Sequence, residues 1–287
     1  MDIYQHIWDA DMKSNGLQPI EPGKERNYSA GYVVVDDRPG HHGHRIFREV
    51  YIPDSKRRSY QLVEKLFDNY TMNQYRKEKN TVKESKEVSE FLAMAINTSP
   101  IQLAREFVQK KLRKSLTELY WYTHLQQLWF RQFNLYNARN LSGFEHVFIG
   151  EQKRKMLSGH HFWYKYWLED NPALNEHKSD LIDLKDSALQ VQMPGAPYIV
   201  TAGYRLKTYD GHKRRFIRIS KSRCGFFVGL SAEGLMAMGT VRALFPEDKP
   251  HPVKLNGLPF NLEMFMCPQG KSIRTFYPFN PDWGGLT

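Results

Sequence analysis

Cysteine is almost absent: Cys224 and Cys267 are the only two in 287 residues. Two thiols cannot build a disulfide framework or a four-thiolate zinc site, and the expected state is a reduced pair in a reducing compartment. Long apolar runs are missing as well. The longest, such as 33–35 and 262–267, fall far short of the roughly 18 residues that a membrane helix needs, so no membrane association is expected. The start of the chain has no charged segment leading into an apolar core, which argues against a secretory signal and for a cytoplasmic protein, with non-classical export left open. No repeat and no low-complexity tract is present. Neither HExxH nor a zinc-finger spacing occurs, and no metal ligand set is expected. There is no GxxxxGK[ST], GxSxG or GxGxxG either, so nucleotide hydrolysis, serine-esterase and dinucleotide chemistry lack support.

Aromatic residues and positive charge are what the chain has in excess. There are 17 Phe, 16 Tyr and 6 Trp; a chain this aromatic buries a core rather than staying disordered. Lys and Arg number 41 against 31 Asp and Glu, a net charge of +10, which points to a polyanionic partner without choosing one. Apolar spacing predicts helices over 3–13, 58–73, 82–96, 99–114 and 118–133. The fourth of these has a capping signature: Ser99 as cap, Pro100 in the first turn and Gln102 three residues on. Beyond residue 140 short β-like runs take over, at 145–149, 197–207, 215–221, 225–229, 252–255, 261–266 and 273–278, with helices near 162–169 and 231–245. Helices first and hairpin-like strands later predict an α+β protein. A mainly helical N-terminal lobe (1–140) is followed by a β-rich lobe (141–287) with two small antiparallel sheets and flanking helices.

Eleven histidines offer acid–base chemistry. His41, His42 and His44 lie in a polar turn with no carboxylate or thiol partner, and read as a solvated loop. His146 and the His160–His161 pair flank a basic excursion, Lys153-Arg154-Lys155. A strand, a basic loop and a return would set His146 against His161. A second basic run, 211–223, holds six Lys or Arg and no acid, with apolar residues interleaved; it reads as a strand with a cationic, phosphate-tracking face. Two imidazoles and a lysine suffice to cut RNA without a metal. One imidazole takes the ribose 2′-hydroxyl proton, the other protonates the leaving 5′ oxygen, and the cation stabilises the charged phosphorane.

The segment Ser142-Gly-Phe-Glu-His-Val-Phe-Ile-Gly-Glu151, followed by Ser158-Gly-His-His-Phe-Trp163, resembles the EndoU family of poly(U)-preferring endoribonucleases. Ile7-Trp8-Asp9-Ala10-Asp11, Leu66-Phe67-Asp68-Asn69-Tyr70, Lys221 to Gly229 and Arg274-Thr-Phe-Tyr-Pro278 extend the resemblance over the chain. It implies an RNA-cleaving enzyme of EndoU-like fold acting on single-stranded RNA, with 2′,3′-cyclic phosphate and 5′-hydroxyl products. His146, His161 and Lys221 take the catalytic positions, with His161 as base and His146 as acid, an assignment that could be reversed. Gly159, Gly225, Thr275 and Tyr277 take substrate-binding positions. Glu145, Glu151 and His160 support them; at 160 the family is normally aromatic. No cofactor is required by the sequence, although the family implies stimulation by Mn²⁺. The position of Gly225 is usually a serine that reads uracil, so uridylate preference is expected but weakened. The alternative is a non-catalytic RNA-binding protein of the same fold.

Overall fold

A computed structural model describes residues 2–36, 45–78, 80–175, 178–179, 181–184, 190–191, 197–210, 214–246 and 253–279. The His41–His44 loop and the turn at 211–213 lie outside them.

The chain begins with α1 (Ile3–Lys13), capped by the Asp2 side chain and burying Tyr4, Ile7, Trp8, Asp11 and Met12 along one face. A three-stranded sheet follows: β1 (Gln18–Ile20) parallel to β2 (Tyr32–Val35), and β2 antiparallel to β3 (Phe47–Tyr51). Then come α2 (Asp54–Glu64), α3 (Val82–Ala95), α4 (Ser99–Leu112) and α5 (Glu118–Leu125), the last running into a π-helical turn at Gln126–Phe130. The expected capping box at Ser99 is absent. Ser99 is already inside the helix; Thr98 is the cap, without a side-chain bond to the helix. Its hydroxyl donates to the Ala95 carbonyl, and Gln102 donates backward to Ile96. The tight α3–α4 connection offers these carbonyls first, so both side chains turn to them. A reciprocal capping box forms instead at Thr81 and Glu84.

The second half opens with the small hairpin β4 (Phe133–Leu135) and β5 (Ala138–Leu141). The run 145–149, expected as a strand, is a π-helical turn, Glu145–Ile149. Ser142 starts it, accepting from the Glu145 N–H through its hydroxyl and from the His146 N–H through its carbonyl, and Gly150 ends it with a bond to the Glu145 carbonyl. All five side chains are buried, which erases the periodicity that separates helix from strand. Next come β6 (Glu151–Lys153), β7 (Met156–Ser158), α6 (Trp163–Asp170), β8 (Ile182–Leu184), β9 (Gln190–Val191), β10 (Ile199–Asp210) and β11 (Arg215–Phe227). These strands make one six-stranded sheet in the order β6-β7-β11-β10-β8, with β9 also on β10. The runs 215–221 and 225–229 thus join, up to 227, in one long strand.

Helix α7 (Ala232–Leu244) is buried from Ala232 to Arg242 and packs against α1 and α4. The last sheet is antiparallel: β12 (Val253–Leu255), β13 (Leu258–Met266) and β14 (Ile273–Phe279). The architecture is α+β, as the sequence predicts. The sheets differ in detail from that expectation: the first half carries one of its own, and β7 joins β11 in parallel.

One buried clip joins the two ends of the fold. Ser231, the cap of α7, donates its N–H and its hydroxyl to Asp11 on α1, at 2.8 and 2.5 Å. Burial pushes the Asp11 carboxyl up to about 7 against those hydrogen bonds, and pushes Glu233 beside it upward too. One apolar cluster runs from Tyr4 to Phe276.

Candidate active site

The π-turn, the β7–α6 connection, β11 and β14 meet at an open cleft of about 310 Å³, lined among others by His146, Gly159, His161, Lys221, Thr275 and Tyr277. That volume is at the low end for small-molecule sites, about 300–1,000 Å³. The β6–β7 hairpin supplies the return that sets His146 against His161. Their ring centroids are 6.2 Å apart.

Backbone bonds lock the two segments together. The His160 N–H donates to the His146 carbonyl at 2.8 Å and the His161 N–H to Val147 at 2.6 Å. Gly159 is required where they cross. Its φ is +72°, and a Cβ there would stand 1.9 Å from the His146 carbonyl oxygen, a conformation and an approach that only glycine permits.

His161 is buried at the floor, stacked on Tyr277 at 4.2 Å between centroids and 9° between planes. Its Nδ1 is 3.3 Å from the Gly225 carbonyl and 3.4 Å from the Cys224 sulfur. A carbonyl only accepts, so Nδ1 carries the hydrogen and Nε2 keeps its lone pair. Desolvation, with Lys221 and His146 adding to it, pushes the His161 pKa well below the ordinary histidine value. This imidazole is therefore neutral and basic at Nε2. His146 differs: its Nδ1 sits 2.7 Å from Glu151 Oε1, a carboxylate contact that fixes the orientation of the ring. Lys221 donates to the Gly159 carbonyl at 2.5 Å, and burial lowers its pKa.

Glu145 faces the interior. Burial, then Glu151 and Glu78, push its pKa well up. Among the described residues no group of three or more His, Cys, Asp or Glu is placed to hold a metal ion. His160 is fully buried rather than facing the cleft. Thr275 lines the cleft, and its buried hydroxyl has no hydrogen-bond partner among the described residues. Gly225 does not line it. A Cβ there would meet the Pro278 carbonyl oxygen at 1.7 Å, so this backbone has no room for serine.

Lys153, Arg154 and Lys155 are exposed at the β6–β7 turn, and the Lys155 carbonyl accepts from Ser220 on β11. The two basic segments are thus neighbours, about 10 Å along β7 from the cleft residue Ser158 at about 3.3 Å per residue. Sequence reasoning gave no role to Arg274 and Phe265, which also line the cleft. Only the β13–β14 pairing, with Phe265 opposite Thr275, brings them there, and no local pattern in the sequence signals that pairing.

A neutral buried imidazole, a carboxylate-backed imidazole and an ammonium around one cleft are the parts of an acid–base phosphodiester-cleaving enzyme. A family model described as Endoribonuclease XendoU matches residues 1–278. The chain is 28% identical to uridylate-specific endoribonuclease C of Danio rerio, over 96% of this chain and 86% of the relative. It is 22% identical to poly(U)-specific endoribonuclease-A of Xenopus laevis, over 98% and 94%. Among solved structures, that of XendoU, titled as a splicing independent snoRNA processing endoribonuclease, superimposes with a TM-score of 0.68 at 20% identity, covering 96% of this chain and 94% of the other; at that identity the likeness concerns the fold. The chain belongs to the XendoU family of endoribonucleases.

Proposed function

We propose that this endoribonuclease cuts single-stranded RNA at uridylates by attack of the ribose 2′-hydroxyl on its own 3′ phosphate. The observation that carries the reading is the pair of imidazoles facing each other across one cleft, one held by a carbonyl and the other by a carboxylate. His161, neutral with Nε2 free, takes the 2′-hydroxyl proton. His146, backed by Glu151, delivers a proton to the departing 5′ oxygen. Lys221, held by Gly159, offsets the charge that builds on the phosphorane. The products are a 2′,3′-cyclic phosphate and a 5′-hydroxyl. Tyr277 and Thr275 contact the sugar and base. Relatives named for uridylate or poly(U) specificity support the base preference. The missing side chain at Gly225 weakens it, leaving Thr275 and backbone groups to read the base.

Cleavage of a labelled oligonucleotide with analysis of both product ends tests this. His146→Ala, His161→Ala and Lys221→Ala should each lower kcat by about 10²-fold or more, and activity surviving in all three would sink the reading in favour of a non-catalytic RNA-binding protein. Cleavage should persist in EDTA, and Mn²⁺ added back to that reaction scores the stimulation that family resemblance implies. Substrates differing only in U, C, A or G at the cut site should show a preference for U smaller than the uridylate-specific relatives give in the same assay. The absence of a membrane-crossing helix among the described residues leaves the compartment to be read from fractionation, for which a cytoplasmic location is proposed.

A further inference from the structure

His160 sits between the two residues on which the site most depends. On one side Gly159 holds Lys221 through its carbonyl, at 2.5 Å. On the other is the base His161. The His160 N–H bonds to the His146 carbonyl at 2.8 Å, and the His160 carbonyl accepts from the Cys224 thiol at 2.8 Å. A displacement at residue 160 therefore moves the base, the acid and the cation together. The residue is also held where side chains rarely go, at φ +68°, so something must fix it.

The side chain supplies the fixing. The imidazole is fully buried, its Nδ1 2.5 Å from the Tyr204 hydroxyl on β10 and its Nε2 2.8 Å from Glu169 Oε2 on α6. We propose that His160 is a positioning residue for the catalytic centre, clamped by Glu169 and Tyr204 so that His146, His161 and Lys221 hold their relative places. The proposal rests on the catalytic reading above.

Charge supports the clamp. Burial alone would raise the Glu169 pKa, but Lys165, 2.8 Å away on the same helix, and His160 overcome it and hold the carboxyl at about 2. Glu169 is thus ionised, and its Oε2 stands 2.8 Å from His160 Nε2, a close polar contact without hydrogen-bond alignment. Burial keeps Tyr204 a neutral phenol able to hydrogen-bond Nδ1. Glu169 lies one turn and a half into the helix that begins at Trp163, so α6 folds its own far end back onto the loop that starts it. The clamp needs a polar ring at 160, and an aromatic hydrocarbon could not make it.

Single-turnover and steady-state cleavage of one oligonucleotide by the full chain tests this. Glu169→Gln should lower kcat by about tenfold to a hundredfold, the scale of a small misplacement of reacting groups, with KM within about threefold of wild type. Tyr204→Phe, which deletes one oxygen, should lower kcat less and in the same direction, and carries the test if Glu169→Gln does not fold. In Glu169→Gln/His160→Phe the losses should fail to multiply, since both remove one contact. Unchanged kcat in Glu169→Gln and Tyr204→Phe overturns the proposal. So does a fall in kcat that merely tracks the folded fraction measured by circular dichroism. His161→Ala is assayed alongside: if it stays active, the catalytic reading has failed rather than the clamp alone.

Discussion

His161 works in surroundings that disfavour its own protonation. Desolvation and the nearby Lys221 both push its pKa down, so a neutral imidazole is present for the base role proposed above. A base with a lowered pKa is lost only as pH falls through that lowered value. The acidic limb of kcat/KM should therefore lie below pH 6.5, the ordinary histidine pKa. Removing the cation should reverse part of the shift: the residual activity of Lys221→Gln should show its acidic limb at higher pH than wild type, read from a pH–rate profile. At this scale the sequence was informative where chemistry names the residue. His146, His161, Lys221 and Tyr277 are brought together by the fold. It was silent on Arg274 and Phe265, whose place depends on a strand pairing, and it could not show that His160 is walled in, because burial is a property of the packed molecule.

Among the elements, caps separate local from non-local control. The Thr81–Glu84 box is self-contained, with both of its bonds lying within four residues, and Thr81→Ala should cost about 1 kcal/mol in a denaturant melt. Ser99→Ala should stay within about 0.5 kcal/mol of wild type, because Ser99 caps nothing. The Asp11–Ser231 clip carries a pH signature. A carboxyl raised from 3.8 to about 7 favours the fold fully below about pH 4 and loses that contribution as pH rises through 7; Glu233 acts in the same direction. Melting temperature should fall between pH 6 and pH 8, and Asp11→Asn should flatten that slope. The strands β10 and β11, which pair antiparallel, were legible as the runs 197–207 and 215–221. The π-turn that carries His146 was not, since five consecutive buried side chains look alike for strand and helix.

For the whole molecule, the net charge of +10 acquires a location. Lys221, Arg223 and Arg274 line the cleft, and the 153–155 turn stands beside β11. If about four of these cations meet phosphates, log K for single-stranded RNA should fall with log[salt] at a slope near −3, from about −0.7 per contact. Titration of a labelled, cleavage-deficient complex across salt concentrations gives that slope, and a flat line would exclude the groove. The early chain was read as helical and the later chain as strand-rich, and the α+β class follows from that split. The apolar cluster that joins residue 4 to residue 276 was not visible in it, because contacts at such separation leave no local pattern.

The close approach of Gly225 to the Pro278 carbonyl bears on which changes the cleft can accept. With glycine at 225, β14 closes to 1.7 Å of where a Cβ would stand. A serine introduced here would meet β14 before it met a base, so its first effect would be loss rather than gain. Side-chain reading of the base from this position could arise only after another change had moved β14 aside. The order of substitutions, not only their identity, then governs which bases such variants could distinguish.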